Sequence, residues 1–275
     1  MSAEDSQARK CQVCAKSEAA LDGSSLLQCG RCKNTKYCSK ACQSTDWPTH
    51  KTNCTAAASS IHNFTQGPPD RSPKKVLLLE LEDYSWLGDM YTAFHTSMHQ
   101  ASDYQRIPSE SSPAAVVDAI TTAPNAIILF EPSIMSAKKR FRADRINRTL
   151  VAYVKAGGTL IFGCQTSNHV SPPDLDRYLK DIWDLPWTMG NYQRIPFERK
   201  LDSINGKELP RVCNAKAVQL NGVAPGDVVY CQPEEYGPGG APVVWHEYGS
   251  GRIGWVGDVN NEEESGIITR AMCGI

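Results

Sequence analysis

Between residues 75 and 162, short apolar runs alternate with longer stretches in which apolar residues recur every three or four positions. Val76 to Leu81 (VLLLEL) is apolar at nearly every position, the pattern of a strand buried on both faces of a parallel sheet. Residues 86–100 place Trp86, Leu87, Met90, Tyr91, Phe94 and Met98 at helical spacing, which predicts an amphipathic helix. A strand is expected at Tyr104 to Ile107, then a helix opened by Ser112-Pro113 with Val116, Val117 and Ile120 on one face. Ala126 to Phe130 predicts another strand. Residues 137–156 predict a long helix closed by Gly157-Gly158, and Thr159 to Phe162 the strand behind it. This β-α-β-α-β-α-β order implies an α/β domain with a mostly parallel sheet and helices on both faces.

Beyond Pro172 the pattern is mixed. Residues 173–183 read as a helix, while Tyr192 to Arg199, Ala217 to Leu220 and Val228 to Gln232 read as strands between Gly/Pro-rich loops. Val243 to Tyr248, Gly249-Ser250-Gly251 and Arg252 to Val256 form a hairpin pattern, and Glu262 to Met272 predicts a closing helix. Ahead of residue 75 neither period is present. Residues 1–10 are expected to be a disordered tail and 55–74 a linker of Ser, Thr, Pro and Gly containing a solitary His62. Residues 11–54 and 75–275 are then the two folded parts.

Composition adds limits. The chain has 275 residues, 41% hydrophobic and 21% charged, with a net charge of -1, so it carries no electrostatic footprint for nucleic acid. No stretch approaches the roughly 20 apolar residues of a membrane span. No apolar segment precedes Cys11, and four cysteines, Cys164, Cys213, Cys231 and Cys273, lie outside the first 54 residues. A reducing compartment, cytoplasm or nucleus, is expected.

The chemistry is concentrated in residues 11–54. Cys11, Cys14, Cys29, Cys32, Cys38, Cys42, His50 and Cys54 offer eight soft donors, enough for two tetrahedral Zn2+ sites. Cys11/Cys14 and Cys29/Cys32 are CxxC pairs, whose short turn lets both thiolates reach one metal. Cys38/Cys42 and His50/Cys54 are four residues apart, the spacing of one helical face. Seven cysteines and a histidine are an odd count for disulfides, and the polar, Gly-rich context lacks the strand-to-helix setting of a redox CxxC. With zinc bound, the thiolates cancel the segment's excess of Lys and Arg, so it is no basic patch.

The series C-x2-C, C-x2-C-x5-C-x3-C-x7-H-x3-C, with Tyr37 before Cys38 and Trp47 between the last ligand pairs, resembles a MYND-type zinc finger. The resemblance implies interleaved sites, one zinc on Cys11, Cys14, Cys38 and Cys42 and the other on Cys29, Cys32, His50 and Cys54. Crossing the ligand sets ties together a segment too small for a hydrophobic core. It also implies a protein-interaction role, adaptor or regulatory, in transcriptional or signalling assemblies. The partner would be a short, often proline-containing peptide bound near Gln43, Trp47 and the helix carrying Cys42, although Trp47 could equally pack on the second zinc site.

YVKAGGTLIFG and EYGSGRIGWVGDVN, in a flavodoxin-like order, make residues 75–275 resemble the class I glutamine amidotransferase-like superfamily with its ThuA-like branch. The phrases support the fold rather than an activity. An alternative function is a hydrolase or amidotransferase using Cys164, which follows the TLIF strand, with His169 or His246 as base and Glu131 to orient it. The Cys164 flank lacks the second glycine of a nucleophile elbow, and a buried structural cysteine is favoured. Asp258 and Asn260 are expected to cap. MYND fingers also accompany SET methyltransferases, whose NHxCxPN motif is echoed at Asn168 to Asp174. Ser171 and Asp174 replace its cysteine and final asparagine, and only ten residues precede the finger, so methyl transfer is not expected. The sequence favours a binding role over catalysis.

Overall fold

The computed structural model describes residues 10–17, 20–21, 25–30, 32, 35–54, 73–136 and 140–275. The expected tail at 1–9, most of the linker with His62, and the start of the helix predicted from 137 lie outside the described residues. The chain divides into two compact units, Met1–Arg71 and Ser72–Ile275.

In the first unit, β1 (Leu27–Gln28) and β2 (Lys36–Tyr37) form a short antiparallel hairpin, followed by α1 (Lys40–Asn53). Ser39 caps α1, its hydroxyl accepting from the Cys42 backbone N–H at 3.2 Å. The helix continues through Pro48, which cannot donate to the carbonyl a turn earlier. The buried centre is Cys11, Leu26, Cys29, Tyr37 and Cys54. Three of these five are cysteines, so little apolar burial holds this unit together.

The second unit contains β3 (Lys75–Leu79), α2 (Thr92–Ala101), β4 (Asp103–Ile107), α3 (Pro113–Thr121), β5 (Ala126–Leu129), α4 (Arg140–Lys155) and β6 (Thr159–Phe162). Then come α5 (Thr166–His169), α6 (Pro172–Trp183), β7 (Thr188–Arg199), the small hairpin β8 (Ser203–Ile204) and β9 (Lys207–Glu208), and β10 (Val212–Asn221). β11 (Val228–Cys231), β12 (Val243–Tyr248), β13 (Gly251–Val256) and α7 (Glu263–Cys273) complete it. One sheet has the order β10-β7-β11-β12-β13-β6-β5-β3-β4. Strands β4, β3, β5, β6 and β13 run parallel, an order of 2-1-3-4-5 counted among themselves, which is flavodoxin-like. Strands β12, β11, β7 and β10 extend this core antiparallel.

Register explains the layers. Leu77, Ile127, Leu160 and Ile253 stand in line across four parallel strands and face a core shared with Val116 and Ile120 of α3 and Leu150 of α4. Their neighbours Leu78, Ile128 and Ile161 face the opposite core, with Phe94 and Met98 of α2 and Ile268 of α7. Alternation along each strand thus buries both faces beneath helices. The expected helix over 86–100 is corrected: residues 85–91 form 3-10 turns and the α-helix begins at Thr92. Gly88 adopts φ 57°, a left-handed conformation that interrupts the helix, and Trp86 and Met90 are exposed. The far end of the sheet curls round. The Val218 N–H of β10 donates to Gly257 O at 2.8 Å and the Val259 N–H to Lys216 O at 3.0 Å, joining β10 to the chain leaving β13.

Candidate functional site

Each CxxC pair is presented by a tight turn. The Cys11 N–H donates to Lys16 O and the Ala15 N–H to Cys11 O, both at 2.9 Å, with Ala15 at φ 55° closing the turn. The Cys29 N–H donates to Thr35 O at 2.9 Å at the end of the β1–β2 hairpin, and the Gln12 N–H donates to Lys36 O, bringing the first turn to β2. α1 supplies Cys42 near its start and His50 near its end, while Cys38 and Cys54 flank it. The expectation of two ligand pairs, each on one helical face, is therefore corrected. Each pair straddles an end of the same helix, because Ser39 caps it one residue after Cys38 and the helix stops before Cys54.

The donors meet in two groups. In Cys11, Cys14, Cys38 and Cys42 one sulfur from each lies within 4.8 Å of the others, and Cys29, Cys32, His50 and Cys54 converge likewise. Cys14 Sγ is 3.4 Å from Cys38 Sγ, and Cys38 Sγ is 3.5 Å from Cys42 Sγ. Cys29 and Cys54 are 3.8 Å apart, and Cys32 Sγ lies 3.5 Å from His50 Nε2. These separations are far longer than the roughly 2.05 Å of a disulfide. A tetrahedral zinc with Zn–S of about 2.3 Å and Zn–N of about 2.0 Å requires sulfurs about 3.8 Å apart and a sulfur-to-nitrogen edge of about 3.5 Å. The groups fit two zinc ions.

Electrostatics points the same way. Within each group the thiols hydrogen-bond one another. Cys38 is pushed up to about 12, first by its hydrogen bond with Cys14 and then by that with Cys42. Cys54 rises to about 11 through burial and then its bond with Cys29. At Cys11 the effect of burial is outweighed by the backbone N–H groups of Cys14, Cys38 and Val13, and the thiol is lowered to about 6. A dication supplies the charge that lets all of them ionise. Tyr37 braces the second group: its ring lies 6.2 Å from that of His50, and its hydroxyl donates to Asp46 Oδ2 at 2.8 Å. Trp47 packs on His50 at 6.0 Å and is still 39% exposed.

In the second unit the proposed catalytic residues are dispersed. Cys164 has φ 52° at the end of β6, the strained backbone expected of an elbow. Its neighbours around a small recess are Tyr91, Phe94, Asp258 and Ser265, with no histidine among the described residues. Part of the residue's surface is exposed, but its sulfur is desolvated, and burial, then Glu80 and Asp258, push the thiol far above its ordinary range. His246 Nδ1 instead pairs with Asp227 at 2.8 Å, and His169 stacks edge-on against Tyr84 and Trp86. Glu131 is fully buried, accepting from the backbone N–H groups of Leu81 and Ser133 and from the Ser133 hydroxyl. The expected capping by Asp258 and Asn260 is corrected: the N-cap of α7 is Glu262 with no side-chain cap bond, and Asp258 instead accepts from the N–H groups of Asn260 and Glu262 in the loop before the helix. Sequence reasoning missed Ser265 and Tyr91 beside Cys164, because nothing in their spacing links α7 and the 85–91 turns to β6.

Residues 11–54 match the MYND finger family. The chain is 38% identical over 52 residues to an N-lysine methyltransferase SMYD2-B of Xenopus laevis, an overlap of 19% of this chain and 12% of that protein. It is 30% identical over 110 residues to the N-lysine methyltransferase SMYD2 of Mus musculus, covering 32% and 25%. The chain thus spans at most a quarter of the length of these two relatives. Among solved structures, a ThuA-like protein from Parabacteroides merdae superposes with a TM-score of 0.47 at 13% identity, covering 74% of this chain and 89% of that one. A β-galactosidase from Bacillus circulans gives 0.47 and 13%, covering 74% and 31%.

Proposed function

We propose that this MYND finger, folded around two zinc ions, is a docking module in an adaptor or regulatory protein that works inside the cell. The ligand sets are Cys11, Cys14, Cys38 and Cys42 for one ion and Cys29, Cys32, His50 and Cys54 for the other. The finger spans 11–54 and the α/β domain 75–275. The observation that carries the docking role is the outer face of α1. Gln43 and Trp47 are one turn apart, and Trp47 is anchored on the ring of a zinc-site histidine while its remaining surface faces solvent. A rigid, half-exposed indole beside an amide matches the flat ring and free carbonyl of a proline-containing peptide. With zinc bound, the thiolates offset the segment's excess of Lys and Arg, so there is no basic footprint, which favours a peptide over nucleic acid.

A panel of short proline-containing peptides titrated against the zinc-loaded full chain tests this. Trp47→Ala is expected to weaken binding at least about tenfold with two zinc ions retained, and Cys29→Ser to abolish it. Peptide affinity indifferent to both substitutions would sink the reading. A catalytic role for Cys164 has no supporting observation beyond its backbone angle, because the sulfur is desolvated beside carboxylates and its recess holds no histidine among the described residues.

A further inference from the structure

The two zinc groups differ in how far water reaches them. In the second group Cys29 and Cys54 are 1% and 5% exposed, the fully buried Tyr37 stands edge-on to His50, and Trp47 packs against the same ring. In the first group Cys11 is buried, Cys38 and Cys42 are half-buried, and Cys14 is exposed. Among all the cysteines of the chain, Cys14 is the one in that position. It sits in the tight turn that Ala15 closes at φ 55°, outside any helix or strand. Reactivity follows from this contrast. The thiolate, not the thiol, attacks an oxidant, and a cysteine that ligates zinc is held as thiolate. Exposure then decides which thiolate meets a dissolved peroxide first.

A second observation concerns the partner. Cys14 Sγ lies 3.4 Å from Cys38 Sγ, so the two have to close by about 1.3 Å to reach the roughly 2.05 Å of a disulfide. Neither residue belongs to α1, because Cys14 is in the turn and Cys38 precedes the N-cap Ser39. Joining them breaks no helical hydrogen bond. Cys42, 3.5 Å from Cys38, is in the first turn of α1 and is tied to the Ser39 hydroxyl through its own N–H. The cysteines outside the finger compete poorly. Burial pushes the Cys213 thiol up to about 12 and raises those of Cys164 and Cys273 further, which keeps all three protonated near neutrality.

We propose that Cys14 and Cys38 form a two-thiol oxidation site, at which a peroxide links them as a disulfide and empties the first zinc group while the second stays loaded. The Cys14 thiolate attacks one peroxide oxygen, giving its sulfenic acid and a hydroxide. The Cys38 thiolate then attacks the Cys14 sulfur and expels a second hydroxide, so the two electrons lost by the sulfurs have gone into the broken O–O bond. Cys11 and Cys42 remain, half the donors that a tetrahedral zinc requires. The inference is independent of the docking role. It is tested by treating the zinc-loaded full chain with hydrogen peroxide while an indicator dye reports free zinc and peptide mapping locates disulfides. One zinc per chain is expected to leave at least about tenfold faster than the other, with a peptide joining Cys14 to Cys38 and both ions regained after dithiothreitol and added zinc. Cys14→His keeps a zinc donor without a thiol and is expected to remove the fast phase; if that chain fails to load both ions, the mapping of the unaltered chain decides alone. Cys231→Ser, at a half-buried position outside the finger, is expected to leave the fast phase unchanged. Both ions leaving at one rate, a first disulfide that omits Cys14 or Cys38, a fast phase that persists in a fully loaded Cys14→His chain, or one that is lost in Cys231→Ser overturns the proposal.

Discussion

Glu131 is a carboxyl group placed where water cannot reach it, at the end of β5. Burial raises its pKa, the N–H groups of Ser133 and Leu81 oppose this, and the charge on Glu80 adds to the rise. Above its ordinary value of 4.5 the folded chain therefore holds this proton more firmly than the unfolded chain does. The stabilisation is complete below 4.5 and is lost as pH climbs through the raised value. Asp258 shifts in the same direction, chiefly through burial. Glu131→Gln is accordingly expected to flatten, without abolishing, the decline of the α/β domain's melting temperature above pH 4.5, followed by circular dichroism. Cys38→Ser isolates a second residue-scale effect. It removes one of four donors from a single group, so native mass spectrometry is expected to count one firmly held zinc per chain in place of two.

At the scale of elements, the curl of the sheet depends on Gly257. A Cβ there would collide with the Val218 carbonyl that the Trp255 indole also uses. Gly257→Ala is expected to cost about 1–3 kcal/mol, read as a lower denaturation midpoint with an unchanged slope. The same region marks where the sequence stops being legible. The parallel strands are visible because both of their faces are buried, which makes VLLLEL, AIILF and TLIF continuous apolar runs. β10 is visible only at Ala217 to Leu220, because Val212, Asn214 and Lys216 of its first half point away from the core and break the run. β7 reads short for the same reason. The helix drawn over 86–100 failed on one residue, since periodicity cannot report that Gly88 takes a positive φ. In the finger all eight donors are legible from spacing. Which four share a metal is a property of the folded chain, set by a single helix that reaches both groups.

For the whole molecule, the contrast between the two units decides how it responds to chelation. The finger's buried centre is largely cysteine, whereas the α/β domain buries two extensive cores on either side of its sheet. Metal supplies most of the first unit's folding energy and none of the second's. With EDTA, amide exchange in residues 35–54 is expected to lose protection, while the calorimetric transition of the α/β domain moves by less than about 2 °C. A larger shift would show that the two units stabilise each other.

The shared helix also constrains how this chain can change over evolutionary time. Cys42 and His50 are separated by seven residues of continuous α1, so one inserted residue would swing the histidine by about 100° around the axis and away from its partners. The stretch between Cys14 and Cys29 bridges two turns and has no such angular register to keep. Descendants of a common ancestor are therefore expected to vary in length there and to hold the interval from Cys42 to His50 fixed, a bias that an alignment of related fingers would expose.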